Sequence, residues 1–202
     1  MNSLVKDLKI IEKFRKDTRG VFFLSDLLVM LPSENIDLFY RRLRNLEREK
    51  IIKRFARGIY VTENFDLAVA SQKLCADSYI SFEAVLARNL VIGTVPKNTI
   101  RAVKIGKKRE YKFENFTVSQ LGVSKHLFFG FENKDGVNIA TREKAVLDTL
   151  YFYNKGVTFY FDIYSDMNLE FIDMKVLNEY LARYKNPKFV KFVENILKGY
   201  NL

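Results

Sequence analysis

The sequence predicts an α+β protein in two parts, divided near residue 62, and three observations predict it. Three helix-periodic stretches fill residues 1–50, and two short β-runs around Arg57-Gly58 follow them. After a connecting stretch, β-like runs cover much of residues 99–140, and three further helical patterns close the chain. The 202 residues are 48% hydrophobic and 29% charged, which excludes a disordered or collagen-like chain.

The elements follow in order. Leu4, Leu8, Ile11 and Phe14 recur at spacings of four and three, so a first amphipathic helix is expected there. Asp17 to Gly20 break it, and Val21-Phe22-Phe23 is a short buried run. Ser25 is the expected cap of a second helix that Pro32 ends, because proline disfavours the helical conformation of the residue before it. A third helix from Ser33 carries Ile36, Phe39, Leu43 and Leu46 as one apolar stripe, with Arg41, Arg44 and Arg48 projecting on the other side. Residues 51–55 and 59–61 read as a hairpin whose turn uses the backbone freedom of Gly58. Helix, helix, helix, hairpin over residues 1–62 is the order of a winged helix-turn-helix.

In residues 63–202 a mixed α/β domain is expected. Helices are predicted over Asn64 to Ala76 and Ser81 to Asn89, and β-like arms lie on either side of the basic tip Lys107-Lys108-Arg109. Further β-like runs are Leu127 to Phe131 and Val137 to Ala140. Thr141 caps the next helix; the last two run from Asp173 to Tyr184 and from Pro187, with Asn186 as cap and Gly199 as stop.

Lys and Arg outnumber Asp and Glu by 34 to 24, a net charge of +10. Residues 1–62 hold 14 Lys/Arg against 8 Asp/Glu, more than half of the excess in less than a third of the chain. Such an excess points to a polyanion. In a winged helix the third helix lies in the DNA major groove and the hairpin reaches phosphate. The expected DNA contacts are therefore Ser33, Asn35, Arg41, Arg44 and Arg48 on the helix and Lys53, Arg54 and Arg57 on the hairpin. Arginine suits both tasks, since its planar fork holds guanine or phosphate with two parallel hydrogen bonds. Lys107, Lys108 and Arg109 form a candidate second nucleic-acid contact.

Catalytic motifs are sparse. Cys75 is the only cysteine and His126 the only histidine, so neither a disulfide nor a zinc cluster is available within the chain. Gly106-Lys107 lacks the remaining residues of a phosphate-binding loop, and Ser165-Asp166 lacks the glycine and second aspartate of a nucleotidyltransferase. Glu110-Tyr111-Lys112 has the Glu-x-Lys spacing of metal-dependent nucleases, but residues 84–109 contain no carboxylate to complete the metal site, which leaves Glu83 as a distant helical candidate. No catalytic set, metal or cofactor is expected. No apolar run approaches the roughly 18 residues of a membrane span, and the single cysteine fits a reducing cytosol.

Three segments resemble the AbiEi-type antitoxins, the transcriptional regulators of type IV toxin-antitoxin (abortive-infection) systems. These are Leu43 to Tyr60, with its Arg-Gly-x-Tyr end; Tyr79 to Leu86; and Ile139 to Asp148, similar to the signature Ala-Thr-x-Glu-Lys-Ala-x-x-Asp. Lys50 stands where the family commonly has glycine, and Ala84-Val85-Leu86 replaces the usual Ser-Ala-Leu. The resemblance implies a non-catalytic repressor that binds its own operator, joined to an antitoxin domain opposing a nucleotidyltransferase-like toxin. A stand-alone regulator and a protein-interaction module remain as alternatives. The charges Glu143, Lys144 and Asp148 are expected to fix the helix they sit on.

Overall fold

The computed structural model describes Ser3–Asn201, and its α+β architecture divides into two compact units, residues 1–76 and 77–202. In the first unit, helix α1 (Ser3–Thr18) is followed by strand β1 (Val21–Phe23) and helix α2 (Leu24–Met30). Helix α3 (Ile36–Arg48), strands β2 (Lys53–Ala56) and β3 (Ile59–Val61), and helix α4 (Leu67–Leu74) complete it. The three strands form one antiparallel sheet, ordered β1-β3-β2. Ile11, Phe22, Leu27, Leu31, Phe39, Leu43, Leu46 and Ile52 are buried together as its core. Of the apolar stripe predicted on α1, Ile11 is in this core and Leu4 and Phe14 pack against it, whereas Leu8 is 38% exposed.

Local details correct several expectations. Ser25 lies inside α2; the helix starts one residue earlier, and the Asp26 carboxylate accepts from the Phe23 N–H instead. Asn35, not Ser33, caps α3, accepting from the Leu38 N–H at 2.9 Å. Ile36 is 53% exposed, so the apolar stripe of α3 begins at Phe39. The two-residue turn Arg57-Gly58 joins β2 to β3, with Gly58 at φ +74°. Past α3, Lys50 adopts φ +56°, while its N–H bonds Glu47 O and the Ile51 N–H bonds Leu46 O. Those two bonds are the Schellman closure that usually calls for glycine. The boundary falls after α4 rather than at residue 62, because α4 packs on β1 and β3. Asp66 caps it, and Lys73 within it bonds both Val21 O and the Asp26 carboxylate.

The second unit is built on a six-stranded mixed sheet, ordered β6-β7-β5-β4-β9-β8. Its strands are β4 (Ser78–Ile80), β5 (Thr99–Ile105), β6 (Arg109–Phe113), β7 (Phe116–Val123), β8 (Phe131–Lys134) and β9 (Val137–Ala140). β4 lies outside the predicted β-runs, and the expected strand from Leu127 is a single 3-10 turn over Lys125–Leu127. The predicted helix from Ser81 is α5 (Glu83–Arg88), preceded by Phe82 with φ +58°. That backbone is strained for a residue with a side chain. The ring is fully buried and packs edge-on against Phe152. Helices α6 (Arg142–Tyr153) and α8 (Pro187–Gly199) follow the predicted caps Thr141 and Asn186, and the helix expected over Asp173 to Tyr184 is α7 (Met174–Leu181), with Asp173 as its cap. α6 is buried continuously from Glu143 to Leu150, which makes it the central helix of the unit. Among the described residues, no helix is long and apolar enough to cross a membrane.

Candidate nucleic-acid interface

Four arginines lie on α3, and the fold gives them different tasks. Arg42 points inward: its Nε and Nη2 bind the two oxygens of Asp7, which is 2% exposed. Its Nη1 reaches Leu31 O, Pro32 O at 2.7 Å and Ser33 Oγ at 2.9 Å. The hydrogen bond to Asp7 raises the guanidinium above its ordinary pKa. One side chain therefore clamps α1, the α2–α3 turn and α3, and this fixes the direction of the opposite face. The signal was present in the sequence, since Asp7 falls three after Leu4 and four before Ile11, on the apolar side of α1.

On that opposite face Arg41, Arg44 and Arg48 are all exposed. Arg41 and Arg44 form no ion pair among the described residues, although Glu34 and Asp37 line the same open groove of about 500 Å³ beside them. Arg48 pairs with its neighbour Glu49 at 3.2 Å, an exposed and weak contact. Asn35 also lines the groove; its oxygen is used by the cap, and its amide N–H₂ is left to face outward chemistry. Ser33 is the one α3-side residue withdrawn from the set, because its hydroxyl donates to Leu31 O and accepts from Arg42. On the hairpin, Arg54 and Arg57 are exposed and Lys53 is half-buried. Exposed guanidinium groups, on the helix and on the hairpin alike, can donate to phosphate oxygens and base edges.

The signature residues of the second unit lie elsewhere, in the core. Lys144 is fully buried and donates to Asp148 Oδ1 at 2.5 Å and to Tyr184 Oη at 3.0 Å. The other Asp148 oxygen accepts from Ser81 Oγ at 2.8 Å and Tyr79 Oη at 3.0 Å. Burial pushes the Asp148 carboxyl up, and the Lys144 charge with these hydrogen bonds opposes that rise. Burial also holds the Tyr79 and Tyr184 phenols well above their ordinary range, so both stay protonated. The Lys144 ammonium further lies 4.5 Å from the Phe129 ring centroid. Every hydrogen-bond partner of Lys144 and Asp148 is buried, so Thr141 to Asp148 acts as a structural keystone that joins β4, α6 and the chain after α7.

Glu83 and Glu110, the carboxylates a metal-dependent nuclease would need, are not brought together. Glu83 binds Arg101 on β5 at 2.9 Å, whereas Glu110 lies on β6, beyond β7, between Lys108 and Lys112. Among the described residues no group of three His, Cys, Asp or Glu side chains is placed to hold a metal ion. His126 is exposed on its 3-10 turn. No family model and no curated protein matches the chain.

Proposed function

We propose that the chain is a cytosolic, DNA-binding transcriptional repressor whose first unit is a winged helix-turn-helix. The observation that supports this best is the division of labour on α3. Arg42 is locked inward on Asp7, while Arg41 and Arg44, three residues apart on one face, stand exposed and without an ion pair among the described residues. The element order and the three-stranded sheet ending in a short hairpin support the same reading. α3 would enter the major groove with Asn35, Arg41, Arg44 and Arg48, and Lys53, Arg54 and Arg57 would meet the backbone.

The test is fluorescence anisotropy on a duplex from the DNA upstream of its own reading frame. Affinity should fall steeply with salt, and Arg44→Ala should lose preference for that duplex over unrelated DNA. Undetectable or salt-insensitive binding would overturn the reading. The resemblance of Tyr79 to Leu86 and Ile139 to Asp148 to AbiEi-type proteins supports a second role, antitoxin against a nucleotidyltransferase-like toxin. Co-production with such a protein encoded in a neighbouring frame should restore growth that the toxin alone arrests.

A further inference from the structure

Counted by structural unit, residues 1–76 hold 15 Lys/Arg against 10 Asp/Glu, and residues 77–202 hold 19 against 14. Half of the +10 excess therefore belongs to the second unit, where the α3 surface cannot explain it. Within that unit the excess is confined to one strip. Residues 84–112 carry eight cations and a single acid, and the remainder of the unit holds 11 against 13.

The strip culminates in the link between β5 and β6, and this link is not a hairpin. β7 lies between the two strands, paired parallel to β5 and antiparallel to β6, so Gly106-Lys107-Lys108 must step across its end. The crossing is tight. A Cβ on Gly122 would sit 1.8 Å from Gly106 O, and Gly106 takes φ +90° with its N–H bonded to Val123 O. Lys104 Nζ, from β5, donates to Ile105 O at 2.8 Å and ties down the start of the link. The result is a fixed platform from which Lys107, Lys108 and Arg109 all project into solvent. Lys107 and Arg109 make no ion pair among the described residues, and Lys108 has only a 3.8 Å contact with Glu110.

Lysines on an edge strand guard against unwanted strand pairing, and Lys112 fits that role. Lys107 and Lys108 do not, because they precede β6 and have no open strand backbone to guard. Three adjacent like charges held on a tight crossing repel one another, and a polyanion relieves that repulsion. We propose that the Lys107-Lys108-Arg109 platform is a second, sequence-independent binding site for the phosphodiester backbone of duplex DNA. The inference rests on the DNA reading for its choice of polyanion, while the residues involved are wholly separate from α3.

The test uses the full chain, the Lys107→Gln/Lys108→Gln/Arg109→Gln variant and Arg44→Ala, each on the upstream duplex and on a scrambled duplex of equal length. For the platform variant the slope of log affinity against log salt should become shallower by about 2 to 3, at about 0.9 for each phosphate that is no longer neutralised. Affinity near 0.1 M salt should fall at least about tenfold on both duplexes, leaving the preference between them unchanged. Thermal unfolding by circular dichroism should be unaltered, since all three side chains are exposed. An unchanged slope overturns the platform, and so does platform-dependent binding to polyglutamate or to phosphatidylglycerol vesicles without binding to duplex. If Arg44→Ala alone changes binding, the α3 reading stands and the platform falls. If only the platform variant does, the reverse holds.

Discussion

Lys144 shows what a buried charge requires. It is held by Asp148 and Tyr184 with no exposed surface, and Asp148 is in turn satisfied by Ser81 and Tyr79. Lys144→Met should leave Asp148 buried without its counter-charge and lower stability by about 3–5 kcal/mol, read from urea unfolding. Lys144→Met/Asp148→Leu should recover only part of that loss, since it removes both charges but leaves the buried Ser81, Tyr79 and Tyr184 hydroxyls without these hydrogen-bond partners. Glu83 offers a pH test of the same physics. Burial raises its carboxyl pKa, and the Arg101 charge only partly offsets this. The folded chain thus keeps a proton at pH values where the unfolded chain has released it. The Glu83 contribution grows as pH falls from neutral toward the ordinary glutamate range and is lost again as pH rises through the folded-state value. In Glu83→Gln, which can still accept from Arg101, that pH-dependent component should vanish. Urea midpoints of both proteins measured between about pH 4.5 and 7 would reveal it.

At the scale of elements, α3 shows both what patterning can settle and what it misses. Its apolar stripe at Phe39, Leu43 and Leu46 and its outward arginines follow from 3.6-residue periodicity alone. Periodicity already sets Arg42 apart, three after Phe39 and four before Leu46 on the apolar side, but could not name its partner, because that depends on where Asp7 on α1 arrives. The helix ends in a left-handed residue, and a Cβ there costs about 1–2 kcal/mol relative to glycine. Lys50→Gly should accordingly raise stability by about 1 kcal/mol, seen as a higher midpoint in urea, with the greater freedom of glycine in the unfolded chain holding the gain at the low end. In the second unit the hardest elements to foresee were β4 and the β5–β7 pairing. Ser78–Ile80 is three residues long and carries no alternation to detect, and β5 pairs in parallel with β7 although β6 separates them in sequence, so no turn announces the pairing.

For the whole molecule, net charge is the most accessible quantity. In the first unit residues 3–19, α3 and the hairpin each carry a cationic excess; in the second the excess lies within residues 84–112, which run from α5 through β5 to β6. If Arg57 meets phosphate, Arg57→Ala should weaken binding to every duplex alike and reduce the salt slope by about one, in a titration over a range of ionic strengths. If the β5–β6 platform meets phosphate as well, the two effects should add, since the residues involved are separate.

The order of helices and hairpin, the caps at Thr141 and Asn186, and the exposed arginines were legible in the chain itself. They are local properties, set by spacing of apolar residues and by side chains within three or four positions of a helix end. The tertiary structure alone decided that Arg42 meets Asp7 and Arg101 meets Glu83, and that the Lys144–Asp148 pair, four apart on α6, is buried. It also decided that the basic tip is a crossing link and not a hairpin turn. The reason is physical. Whether a charge faces water or a partner depends on residues distant in sequence, and their meeting is fixed only when the helices and sheets pack.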